Sequence, residues 1–173
     1  MRQLFILLDI SGSVALEGTH KVGQINDLIR DLLEFTADSY QAAYLITYSD
    51  IPRIYWQSRK KEIFIDIPPK EFGGRSNLGK AYLFVGSILA DNSVQPSNVS
   101  LVLISDGEAT DNYRIALHAI DPKNQTTRVA GGIGMSRDTL DFHMGSPELA
   151  YTDITSLHAR DEFFDDIKAS LSK

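Results

Sequence analysis

The stretch LLDISGS, residues 7–13, sets an acid and two hydroxyls at alternate positions directly behind a short apolar run. Asp9, Ser11 and Ser13 alternate with Ile10 and Gly12. If the chain turns sharply after the run, which Gly12 permits, all three oxygen-bearing side chains can aim into one pocket. A hard divalent ion such as Mg²⁺ takes about six oxygen ligands at roughly 2.0–2.1 Å and keeps several waters among them. Two further stretches offer the same chemistry. SDGE (Ser105–Glu108) follows the apolar run Val99–Ile104 and brings a second carboxylate, Asp106. GGRS (Gly73–Ser76) precedes a helical pattern and brings the hydroxyl of Ser76. Two carboxylates and three neutral hydroxyls would make a site of modest charge, with room for an acidic group from outside.

Other readings use some of the same residues. Ser and Asp are favoured helix caps, but one cap explains one residue rather than five at three strand ends. Gly74–Lys80 satisfies G-x-x-x-x-G-K, the pattern of a phosphate-binding loop, which would make the chain a nucleotide hydrolase. Against it, position 81 is alanine where the metal-binding hydroxyl belongs, and the proline pair Pro68–Pro69 precedes the loop where a strand is required. An aspartyl nucleophile of the haloacid dehalogenase type expects a second aspartate at position 11, which is serine. A serine nucleophile needs a neighbouring base. His20, His118, His143 and His158 are scattered, and each reads as a surface or helix histidine. DGEATD (Asp106–Asp111) lacks the spacing and central glycine of a calcium loop; Glu108 and Asp111 read as solvated acids or charges on the rim of the pocket.

The elements that must position these residues follow from periodicity. Apolar runs at Leu4–Leu8, Tyr44–Tyr48, Ile63–Ile67, Val99–Ile104 and Arg128–Ile133 read as strands. Ile51–Trp56 follows Tyr44–Tyr48 across a short turn and reads as an antiparallel edge strand. Val22, Ile25, Leu28, Ile29, Leu32 and Leu33 keep a 3.6-residue period, as do Ala81, Tyr82, Val85, Ile88 and Leu89, and then Phe163, Phe164, Ile167 and Leu171. Ile67–Gly74 reads as an irregular loop, and Trp56 and the tyrosines as core or sheet-edge residues. The predicted architecture is α/β: a doubly wound, mostly parallel sheet with one antiparallel edge strand and helices on both faces. Such sheets bind ligands beyond the carboxyl ends of their strands, where the acids and hydroxyls lie.

The whole-chain numbers fit this. The 173 residues, 43% hydrophobic and 23% charged, predict one folded domain spanning residues 1–173. With a net charge of −6 and no basic run, a nucleic-acid footprint is not indicated. The chain has no cysteine, so disulfides and thiolate metal sites are excluded. Its first apolar run is too short for a signal peptide or a membrane span, and these features together point to a cytoplasmic protein.

DISGS, GGRSNLG and LVLISDG together resemble the metal-ion-dependent adhesion site of von Willebrand factor A domains. That site reads D-x-S-x-S, a distant threonine, and an aspartate at the end of the central strand. The resemblance extends over essentially the whole chain, with LITYSD (Leu45–Asp50) and GGIG (Gly131–Gly134) falling at further strand ends. Among subgroups, the compact TerY-like proteins of bacterial tellurium-resistance and stress clusters are most similar. The resemblance implies a binding module rather than an enzyme. It implies direct coordination of Mg²⁺ or Mn²⁺ by Ser11, Ser13 and Ser76, with Asp9 and Asp106 bonding through water. It further implies completion of the shell by an Asp or Glu of a partner protein. Ser76 replaces the family's threonine; it keeps the oxygen but lacks the methyl that stiffens χ1, so weaker metal affinity is expected.

Overall fold

The computed structural model describes residues 2–13, 19–58, 63–107, 109–145 and 147–172. Six strands form one sheet: β1 (Gln3–Asp9), β2 (Ala42–Tyr48), β3 (Arg53–Gln57), β4 (Val99–Ser105), β5 (Thr127–Gly132) and β6 (Leu149–Tyr151). The helices that lie wholly within the described residues are α1 (Thr19–Thr36), α2 (Leu78–Asp91), α3 (Tyr113–Ile120), α4 (Arg137–Met144) and α5 (Leu157–Leu171). The spatial order is β3-β2-β1-β4-β5-β6. Every pairing is parallel except β2 with β3.

This order decides where a ligand can sit. From β1 the chain builds outward through β2 and β3 on one side, then crosses back to lay β4, β5 and β6 on the other. The connections therefore diverge between β1 and β4, and it is beyond the carboxyl ends of strands at such a point that open α/β sheets bind ligands. Both strands are buried on both faces, which explains their unbroken apolar sequence. Leu4, Ile6 and Leu8 enter one core with α1 and α5, and Phe5 and Leu7 enter the other with α2, α3 and α4. The apolar stripe of α1 and the Phe163–Leu171 stripe of α5 are buried together in the first of these cores.

Three expectations change. Ile63–Ile67 is not a strand. Its residues alternate in burial, with Ile65 and Ile67 inside and Phe64 outside, but its backbone is matched by a side chain. The Asn26 amide donates to Ile67 O and accepts from Ile67 N, both at 3.0 Å. Alternation thus reported a half-buried extended segment without a neighbouring strand to pair with. Helix α4 and strand β6 were not foreseen, being eight and three residues long and carrying little periodicity. Gly12 has no left-handed φ, and a Cβ there would meet Gly74 O at an ordinary 3.5 Å, so the turn after β1 does not depend on it. Ile67–Gly74 is a loop, interrupted by a 3₁₀ turn at Pro69–Glu71.

Candidate functional site

Asp9 ends β1 and is almost fully buried. Its Oδ1 accepts from Ser11 N at 2.8 Å. Its Oδ2 accepts from Ser76 Oγ at 2.7 Å and from Ser105 Oγ at 2.9 Å. Asp106, just beyond β4, accepts at Oδ1 from Ser13 Oγ at 2.8 Å. Ser11 Oγ and Ser13 Oγ lie 3.3 Å apart. All five residues singled out in the sequence are therefore joined in one hydrogen-bonded group at the carboxyl ends of β1 and β4.

The backbone fixes this arrangement by crossing between loops. Gly73 N donates to Ile10 O at 2.8 Å and Gly12 N to Gly74 O at 3.1 Å, tying the β1 end to the loop that carries Ser76. Asn77 N donates to Ser49 O at 3.1 Å and Thr110 N to Ser76 O at 2.8 Å, adding the β2–β3 turn and the β4–α3 loop. Thr110 Oγ1 also donates to Ser76 O. Gly74 has a left-handed φ of 80°, which glycine adopts without strain and a residue with a Cβ does not.

The direction of the bonds determines the chemistry. A hydroxyl has one proton and two lone pairs. Ser13 and Ser76 give their protons to carboxylates, so what they retain to offer is lone-pair density. Two acids and three hydroxyls make an all-oxygen donor set, the kind that suits a hard divalent cation. Among the described residues no group of three or more His, Cys, Asp or Glu side chains is placed to hold a metal. Coordination at this site would thus depend on the serines.

Sequence reading missed several participants. Ser105, adjacent to Asp106, is the second side-chain donor to Asp9. The Tyr48 hydroxyl is buried without a hydrogen bond. Burial, and then the charge of Asp9, push it well above the ordinary tyrosine range, with the Ser105 and Ser76 hydroxyls offsetting slightly. It stays a neutral phenol beneath the acid. Asp111 is not simply a solvated acid: it accepts from Gly79 N at 2.8 Å and Lys80 N at 3.1 Å. His143 lies on helix α4, in keeping with the helix reading, but it is buried and its Nε2 accepts from Ala109 N at 3.1 Å. These roles rest on contacts distant in sequence and have no local pattern. Glu108 lies outside the described residues.

Asp111 also answers the phosphate-loop reading. The first amides of α2, which would cradle a phosphate, are taken by that carboxylate. The loop before them is entered from the 3₁₀ turn Pro69–Glu71 rather than from a strand, and Lys80 Nζ donates to Asp50 O at 3.0 Å. A separate cavity of about 640 Å³ between α3 and α4, lined in part by Arg114, Leu117, Arg128 and Phe142, includes none of the five site residues. No helix among the described residues is long and apolar enough to cross a membrane.

No family model matches the sequence, and no curated protein matches it. Solved structures do resemble it. BatB from Bacteroides thetaiotaomicron, a conserved hypothetical protein, is 16% identical, with all of both chains covered and a TM-score of 0.74. A von Willebrand factor type A protein from Catenulispora acidiphila is 12% identical, covering 99% of this chain and 42% of that one, with a TM-score of 0.67. The mussel byssus proximal thread matrix protein 1, in a structure with zinc in its MIDAS motif (the metal-ion-dependent adhesion site), is 14% identical. It covers 98% of this chain and 46% of that one, with a TM-score of 0.63. The chain thus spans less than half the length of the last two. A six-stranded, mostly parallel sheet with one antiparallel edge, matched over nearly its whole length by these structures, gives this chain the fold of von Willebrand factor A domains.

Proposed function

We propose that this chain is a single-domain, divalent-cation-dependent protein-binding module and not an enzyme. Ser11, Ser13 and Ser76 would hold Mg²⁺ or Mn²⁺ directly, and Asp9 and Asp106 through water. The ion so held supplies an electrophilic position for the Asp or Glu carboxylate of a partner protein. The observation that carries this reading is the commitment of the Ser13 and Ser76 protons to Asp106 and Asp9, which leaves the hydroxyls as acceptors only. A neighbouring structure with zinc in the corresponding type of motif supports a divalent ion in this fold. The finer reading, a cytoplasmic module of a bacterial tellurium-resistance or stress complex, draws its support from the TerY-like resemblance of the sequence. Calorimetric titration of Mg²⁺ and Mn²⁺ into wild type and Asp9→Ala tests the site, and equal binding by both would sink it. A Mg²⁺-dependent pulldown from the native cell, with an EDTA control, tests the partner. Identical recovery in EDTA would separate binding from the ion.

A further inference from the structure

We infer that His143 is a positioning residue for the loop that carries Asp106, so that helix α4 sets the affinity of the cation site. The inference rests on the cation reading above. His143 is 3% exposed, in the last turn of α4. Its Nε2 accepts from the backbone N–H of Ala109 at 3.1 Å, three residues past Asp106. A ring nitrogen that accepts a hydrogen bond carries no proton, so Nε2 serves the loop through its lone pair.

The ring can position the loop because its own support is rigid. Tyr82, fully buried on α2, donates its hydroxyl to His143 O at 2.7 Å. Arg128, on β5, donates from Nη1 to Met144 O at 3.1 Å and to Gly145 O at 3.2 Å. Tyr113, the first residue of α3, meets the imidazole edge-on with ring centroids 5.1 Å apart. The end of α4 is therefore braced by α2, β5 and α3 together.

The loop itself is anchored at both sides of Ala109. Upstream, β4 ends at Ser105; downstream, Thr110 is bonded to Ser76 O and Asp111 to the amides of α2. Between them the Ala109 bond draws the chain toward α4. There is little slack on the other side: a Cβ on Gly107 would come 3.2 Å from Ser13 Oγ. Release of Ala109 would let Asp106 move relative to Ser13, its hydrogen-bond donor. Partners that orient metal-binding groups from outside the coordination shell set affinity in this way.

The test compares Mn²⁺ affinity, by water-proton relaxation, in wild type, His143→Gln, His143→Asn and His143→Leu. All are assayed well below their melting temperatures. Glutamine places its amide oxygen where Nε2 stands, whereas asparagine is too short to reach Ala109 and leucine cannot accept. Expected are near-wild-type affinity for His143→Gln and about tenfold weaker binding for the other two. Should the leucine variant not fold, the glutamine–asparagine pair decides. Equal affinity in the asparagine and wild-type proteins, with Asp106→Ala still defective, overturns the positioning role alone. Absence of Mn²⁺ binding by the wild type overturns the cation reading and the inference with it.

Discussion

Replacing Ser76 distinguishes a metal ligand from a serine that only braces Asp9. Ser76 is nearly buried, and its hydroxyl supplies one of two side-chain bonds to Asp9 Oδ2, at 2.7 Å. Ser76→Ala removes that bond together with the oxygen proposed to coordinate the ion. A hydrogen bond to a charged group contributes about 1.5–3 kcal/mol, so metal binding should weaken about 10- to 100-fold at 1.4 kcal/mol per decade. Ser76→Thr introduces the threonine of the pattern that the sequence resembles. Because the Asp9 bond already holds the serine hydroxyl in one orientation, the stiffer threonine has little freedom left to remove. The gain should be roughly twofold, on the order of 0.5 kcal/mol. Calorimetry with Mg²⁺ and relaxation with Mn²⁺ give the affinities, and circular dichroism checks that each variant is folded. Wild-type affinity in Ser76→Ala, with binding abolished in Asp9→Ala, would remove Ser76 from the coordination shell and refute this reasoning.

Asp111→Ala should uncap α2 and cost about 1–2 kcal/mol. A fall in melting temperature of roughly 3–6 °C would register it, and an unchanged melt would show that the Gly79 and Lys80 amides find other acceptors. The wild type should hydrolyse no ATP; turnover that disappears in Lys80→Ala would revive the phosphate-loop reading. Arg128→Met should destabilise by about 3–5 kcal/mol, because it strands the carboxylate of Asp121 within a buried pair; a loss below 1 kcal/mol in urea titration would contradict this. Burial alone would raise the Asp121 carboxyl, but bonds from Thr126, Gln125 and Arg128 prevail and hold it below its ordinary 3.8. Its stabilisation is therefore complete above pH 3.8 and is lost as the pH falls through the lower folded-state value. Acid unfolding of Asp121→Asn should consequently be less steep in that range. Asn26→Ala should expose the Ile67 amide to hydrogen exchange and cost about 2 kcal/mol for two bonds.

Much of the fold is legible because buried parallel strands declare themselves locally. Leu4–Leu8 and Val99–Ile104 need no neighbours to be recognised as strands buried on both faces. The site is half legible for a related reason. Asp9, Ser11 and Ser13 sit in one stretch, and Ser76 and Asp106 each stand at the edge of an element. Their supports are different in kind. Ser105, Tyr48, Asp111 and His143 act on partners 31 to 96 positions away, or through burial alone, and single residues carry no trace of such distances. Ile63–Ile67 shows the converse: its alternation is real, but whether an extended segment joins a sheet depends on what lies beside it, here the side chain of Asn26.

The bonds from Ser76 to Asp9 and from Ser13 to Asp106 span 67 and 93 positions of sequence. In the unfolded chain those groups are far apart, so the denatured ensemble has no comparable affinity for an ion. Any ion held here then acts as a ballast on the folded population, adding about 2.7 kcal/mol when present at a hundred times its dissociation constant. Chelation should lower the denaturation midpoint by that linkage amount, and a larger drop would show that the ion does more than bind the folded state.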